Sequence, residues 1–139
     1  MIFQTQKSNT KAKSQKPEAK KRYQKNIYDL TQDFSLSFHT FLKTLTPHFS
    51  SIHILKQVYR SSSSVTANML EAQCSLRIKE LAYKYSLALK EARETKYWLE
   101  LLMIEYPEYT EQLNLFLKKL VEIIAILTVC IKKLRMKND

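Results

Sequence analysis

No glycine occurs anywhere in this 139-residue chain. Glycine is the usual residue where a backbone must turn left-handed or approach another group closely. Its absence argues against tight hairpins, sheet-rich folds and phosphate-cradling loops. Only three prolines interrupt a sequence rich in Leu, Lys, Glu, Ala and Ile, so an all-α fold is the natural solution. The length suits one domain.

Charge divides the chain unevenly. Residues 1–25 hold eight basic side chains (Lys7, Lys11, Lys13, Lys16, Lys20, Lys21, Arg22 and Lys25) and one acid, Glu18, a net of +7 out of +10 for the whole. The remainder is almost balanced. After Phe3 this first stretch has almost no apolar side chains with which to offset ordering entropy. Residues 1–25 are therefore expected to be a disordered basic tail, and 26–139 the folded domain. The tail is either a solvated leader or an arm that displaces counterions from nucleic acid.

Beyond the tail, four apolar stripes recur at three- and four-residue spacing. The first, Ile27, Leu30, Phe34, Phe38, Phe41, Leu42 and Leu45, predicts a helix from Asn26 to about Thr46, stopped by Pro47. A second helix is expected from His48 or Ser50 to about Gln73, burying Ile52, Leu55, Val58, Tyr59, Ser62, Val65, Met69 and Ala72. The four serines Ser61–Ser64 are poor helix formers. The apolar period running through them favours tight helix packing over a linker. Ser75 is expected to cap a third helix from Leu76 to about Glu105, with a stripe through Ile78, Leu81, Ala82, Tyr85, Ala88, Leu89, Ala92, Thr95, Leu99 and Leu102. Leu87, Trp98 and Leu101 lie off that stripe and predict a subunit interface. Pro107 precedes a fourth helix from about Tyr109 to Lys133, with Leu113, Phe116, Leu117, Leu120, Ile123, Ile124, Leu127, Ile131 and Leu134 inward. Short connections predict an antiparallel up-down-up-down four-helix bundle.

No residue pattern suggests catalysis, and the chain is expected not to be an enzyme. Di-iron bundles need Glu-x-x-His pairs, but Leu36, Leu45 and Ser50 stand three residues before His39, His48 and His53. The histidines are expected at solvated or helix-junction positions. Cys74 has no histidine near it in sequence, and Cys130 reads as core. No cofactor or metal is expected. The two cysteines form no CxxC pair, and the first 25 residues read as basic rather than as an apolar leader, so a cytoplasmic location with reduced thiols is expected. The longest apolar run, Ile123–Ile131, is far short of the ~20 residues a membrane span needs.

The run Arg60-Ser61-Ser62-Ser63-Ser64-Val65-Thr66-Ala67-Asn68-Met69-Leu70-Glu71-Ala72 and the block Lys90-Glu91-Ala92-Arg93-Glu94-Thr95-Lys96-Tyr97-Trp98-Leu99 resemble the four-helix bundle proteins encoded in intervening sequences of 23S ribosomal RNA genes. The resemblance covers most of residues 50–134. It implies a self-associating bundle, a cyclic pentamer in known members. A related branch serves as the accessory protein of diversity-generating retroelements, where a basic ring holds RNA and a reverse transcriptase. The resemblance also implies a polar contact from Glu71 and Asn68 to Arg60 or a third-helix basic residue, a surface pair being the alternative. Glycine is common in the family's second helix, where this chain has Ser62 and Thr66, which leaves the oligomer geometry open.

These readings lead to one expectation and one rival. The first is a non-enzymatic oligomeric scaffold binding RNA or DNA electrostatically, with a reverse transcriptase as a candidate partner. Its contacts would be the eight tail cations together with Lys56, Arg60, Arg77 and Lys84; on the third helix, alternating charges also suggest a Glu80–Lys84 pair. The rival is a protein–protein adaptor, or a bundle of no nucleic-acid function, contacting partners through Trp98 and Leu101.

Overall fold

A helix with one apolar stripe has to bury it against other helices, and this chain does so with four. The computed structural model describes residues 16–138, and the side chains of residues 27–138. Its elements are α1 (Lys16–Leu42), α2 (Ile52–Ala72), α3 (Ile78–Glu105), a 3-10 turn (Pro107–Tyr109) and α4 (Thr110–Asn138), with no strand among the described residues. Each helix packs on two others: α2 on α1 and α3, and α4 on α3 and α1. The broadest contact is between α2 and α3.

The stripes find the core. Ile27, Phe34, Phe38, Leu42 and Leu45 are buried, as are Val58, Val65, Met69, Ala88, Ala92, Leu99, Leu102, Leu113, Leu120, Ile123 and Leu127. Two expected core positions are corrected. Ile52 and Ile78 are the first residues of α2 and α3, at helix ends that the bundle covers less fully, and both are exposed. The serine tetrad is unbroken helix within α2, which excludes the linker reading.

Side-chain pairs set the register. Thr66 Oγ1 donates to the Thr31 carbonyl (2.8 Å), Ser35 Oγ donates to the Ser62 carbonyl (2.9 Å), and the His39 ring meets Tyr59 edge-on at 4.8 Å. Positions that advance along α1 therefore retreat along α2. The same opposition joins α2 to α3, through Ser50–Glu105, Ser61–Thr95 and Glu71–Lys84.

Helix ends depart most from expectation. α1 starts at Lys16 rather than Asn26, within the stretch read as tail. Pro17 is tolerated in a first turn, and Glu18, Ala19, Lys20, Lys21 and Arg22 favour helix. Residues 1–15, with Lys7, Lys11 and Lys13, lie outside the described residues, as do the side chains of Lys16, Lys20, Lys21, Arg22 and Lys25. At its far end α1 stops at Leu42, before Pro47 could act. Short bonds close the turn there, from Thr44 N to the Phe41 carbonyl (2.9 Å) and from Leu45 N to the Leu42 carbonyl (3.2 Å). The Thr44 hydroxyl also competes for the Phe41 carbonyl, at 2.7 Å.

Ser75 does not cap α3. Its amide closes the end of α2 on the Ala72 carbonyl at 3.1 Å, so it belongs to the exit of one helix rather than the entrance of the next. Its hydroxyl is buried without a partner, and Arg77 takes the N-cap position with no side-chain cap bond. α4 runs five residues past Lys133, where Leu134 still packs on the core. Among the described residues no helix is long and apolar enough to cross a membrane.

Candidate functional site

Small side chains let α2 and α3 approach, and polar groups then bridge them. Ser61 and Thr95 are fully buried and hydrogen-bonded to each other at 2.9 Å, while Thr95 also donates to the Glu91 carbonyl at 2.7 Å. Charged pairs flank this seam. Arg60 reaches Glu91 at 3.3 Å and also pairs with Glu94; Lys84 pairs with Glu71. Glu71 thus meets a third-helix basic residue, the inter-helix contact expected for it, whereas Asn68 bonds back to the Ser64 carbonyl at 2.8 Å. The expected Glu80–Lys84 pair is replaced by this cross-helix one. The Glu71 hydrogen bond, with attraction from nearby negative groups, holds the Lys84 pKa above its ordinary value, against the opposing effect of desolvation.

The four body cations expected to meet nucleic acid therefore separate into two kinds. Arg60 and Lys84 are tied to carboxylates across the α2–α3 seam. Lys56 and Arg77 are exposed and make no ion pair among the described residues.

On α3 the three expected interface residues share the outward side. Leu87, Trp98 and Leu101 are each half-buried. Trp98 is held in place: its Nε1–H donates to Glu94 Oε1 at 3.1 Å, and its ring lies 5.6 Å from His53 and 5.1 Å from Tyr97. Tyr83, Tyr97 and Ile104 extend the apolar surface of this face, Ile104 being 73% exposed. The sequence reading missed these three. Their separations of 14 and seven residues, two turns per seven, were the signal available.

The corner between α1 and α2 gathers a different set. Ser50 Oγ donates to Glu105 Oε2 at 2.7 Å, and His48 Nδ1 lies 3.2 Å from Ser50 Oγ and 3.8 Å from Glu105. The residue types suggest a hydrolytic triad, but the connectivity is wrong for one. Both partners address the same imidazole nitrogen, and the serine proton goes to the carboxylate rather than to the histidine. Beneath it, buried Ser51 accepts the His48 amide at 3.0 Å and is hydrogen-bonded to Tyr106 Oη at 2.8 Å. Tyr106 donates on to the Thr46 carbonyl at 2.8 Å. This network locks the corner onto the end of α3. All three histidines are exposed, each beside an aromatic ring. Among the described residues no group of His, Cys, Asp and Glu is placed to hold a metal. Cys74 is exposed and Cys130 buried.

The family model of the 23S rRNA-intervening sequence proteins matches residues 23–129. The chain belongs to that family. A crystal structure of a protein with unknown function from the S23 ribosomal protein family of Bacteroides thetaiotaomicron VPI-5482 is similar at a TM-score of 0.71 and 31% sequence identity. The similarity covers 79% of this chain and 98% of that one. None of the curated proteins matches the chain. For an intervening-sequence protein the match begins at residue 23, so it spans most of α1 as well as the run and block that first suggested the family.

Proposed function

We propose that this intervening-sequence protein is a non-enzymatic, cytoplasmic scaffold: an up-down-up-down bundle that self-associates and holds RNA or DNA by charge. The observation that carries this reading is the concentration of +7 in residues 1–25 of a chain whose remaining charge is nearly balanced. The outward face of α3, with Leu87, Trp98 and Leu101 flanked by exposed Tyr83, Tyr97 and Ile104, is the self-association surface. A five-membered ring would gather about +35 from the N-terminal segments, and such multivalency raises affinity without any new contact chemistry. Base readout would be slight, because the body cations sit on helices without a platform of free aromatic rings. Service as an accessory subunit of a reverse transcriptase is the specific role proposed for the ring.

The test is RNA binding over a salt series. It compares the full chain, residues 16–139, and a full chain carrying Lys20→Gln, Lys21→Gln, Arg22→Gln and Lys25→Gln. Each phosphate contact with a single strand contributes about 0.7 to the log–log salt slope, so the slope should flatten stepwise in both altered forms. An identical slope in all three removes the N-terminal cations from the interface. Trp98→Glu should reduce the mass seen in light scattering, and an unchanged mass would take Trp98 out of the subunit contact. Exposed Tyr97 and Ile104 favour a second reading, in which this face grips a different protein. A chain that is monomeric and indifferent to RNA would support it.

A further inference from the structure

Residues 34–70, from the second half of α1 through most of α2, contain no aspartate or glutamate. Within this acid-free span lies a solvent-open cleft of about 490 Å³. Leu42, Leu45, Ile52 and Leu55 supply its aliphatic walls, and Lys43 and Lys56 also line it. Tyr59 lines one side, and desolvation raises its pKa above the ordinary value.

Three observations restrict what such a cleft can hold. Neither lysine makes an ion pair among the described residues, although Arg60, one turn beyond Lys56, is neutralised by two glutamates. Ile52 remains 44% exposed at the cleft, and Phe49, in the corner leading to it, is 97% exposed. The chain's own residues 1–15 contain no carboxylate and so offer nothing to complement the lysines.

We propose that this cleft is a docking groove for an acidic amphipathic helix of a partner protein. Aliphatic side chains on one face of that helix would fill the groove, and flanking carboxylates would reach Lys43 and Lys56. A nucleobase fits less well. The walls offer little to hydrogen-bond a base edge, and the Tyr59 ring is already met edge-on by His39. The groove is formed by α1, α2 and their connection, so it is separate from the outward α3 face.

The experiment uses the full chain and a labelled synthetic helix with Leu at i, i+3, i+4 and i+7 and Glu at the flanking positions. A scrambled peptide of the same composition and a single-stranded uridine oligomer serve as comparisons. Anisotropy should show the patterned peptide binding roughly tenfold tighter than the scrambled one, with Lys43→Glu/Lys56→Glu reversing the gain. Ile52→Glu should weaken the patterned peptide too, and circular dichroism should show both variants as helical as the parent. The charge-neutral Ile52→Asn should also weaken the patterned peptide while leaving oligomer binding unchanged, which separates this groove from the nucleic-acid reading, to which Lys56 belongs. The inference is overturned by equal binding of the two peptides, or by peptide affinity that none of the variants moves. It is also overturned if only the oligomer loses affinity, or if the variants lower the mass in light scattering, which would make the cleft a contact between copies.

Discussion

Between α2 and α3 small polar side chains are buried and bonded to each other; between α1 and α4 phenylalanine rings meet. Ser61 and Thr95 are hydrogen-bonded across the α2–α3 seam, and Arg60–Glu91, Arg60–Glu94 and Glu71–Lys84 pair across it. On the other side Phe34, Phe38 and Phe41 surround Phe116 at centroid separations of 6.2, 4.9 and 5.4 Å, and Phe41 meets Tyr109 at 5.8 Å. One seam brings backbones together and specifies register through polar pairs. The other fills space with rings whose burial gives bulk stabilisation and little register.

The largest loss is expected at the ring cluster. Phe38→Ala removes a fully buried ring and should lower stability by about 3–5 kcal/mol in urea unfolding. A loss below ~1 kcal/mol would show that the ring cluster collapses onto the cavity. Among the small residues of α2 the opposite change is the damaging one. Ser62→Leu overpacks a buried position and should cost about 1–3 kcal/mol; unaltered stability would mean that the helices move apart freely. Thr95→Val keeps the shape but removes the hydroxyl shared with Ser61, for a loss of about 1 kcal/mol by thermal unfolding. If Thr95→Val were neutral, the polar pair would serve register alone.

The smallest effect concerns Lys84. Its folded pKa is raised above the ordinary 10.5, chiefly by the Glu71 hydrogen bond. The stability it contributes is therefore fully present below that pH and lost as pH rises through the raised value. Glu71→Gln should be slightly less stable than the parent at neutral pH, the two converging in alkali. Because the pair is open to solvent, the difference is small and shrinks with salt. A difference that persists in alkali would assign it to packing.

Helix number, order and nearly all inward residues were legible because a period of 3.6 is a local property. Helix ends were less legible. Ser75 looked like a cap until the closing of α2 claimed its amide, and Ile52 and Ile78 looked buried until the helix packing left them at the ends. The serine tetrad, poor in propensity, proved to be helix because a close partner outweighs an intrinsic preference.

Composition and periodicity by themselves determined an all-α chain of four helices, with the core residues and a cationic first segment, since each follows from side-chain chemistry at short range. Only the tertiary structure decided which charges are free. Arg60 and Lys84 became inter-helix pairs while Lys56 and Arg77 stayed exposed. Whether a cation is neutralised depends on which carboxylate the neighbouring helix brings within a few ångströms, and that is set by packing rather than by position in the sequence.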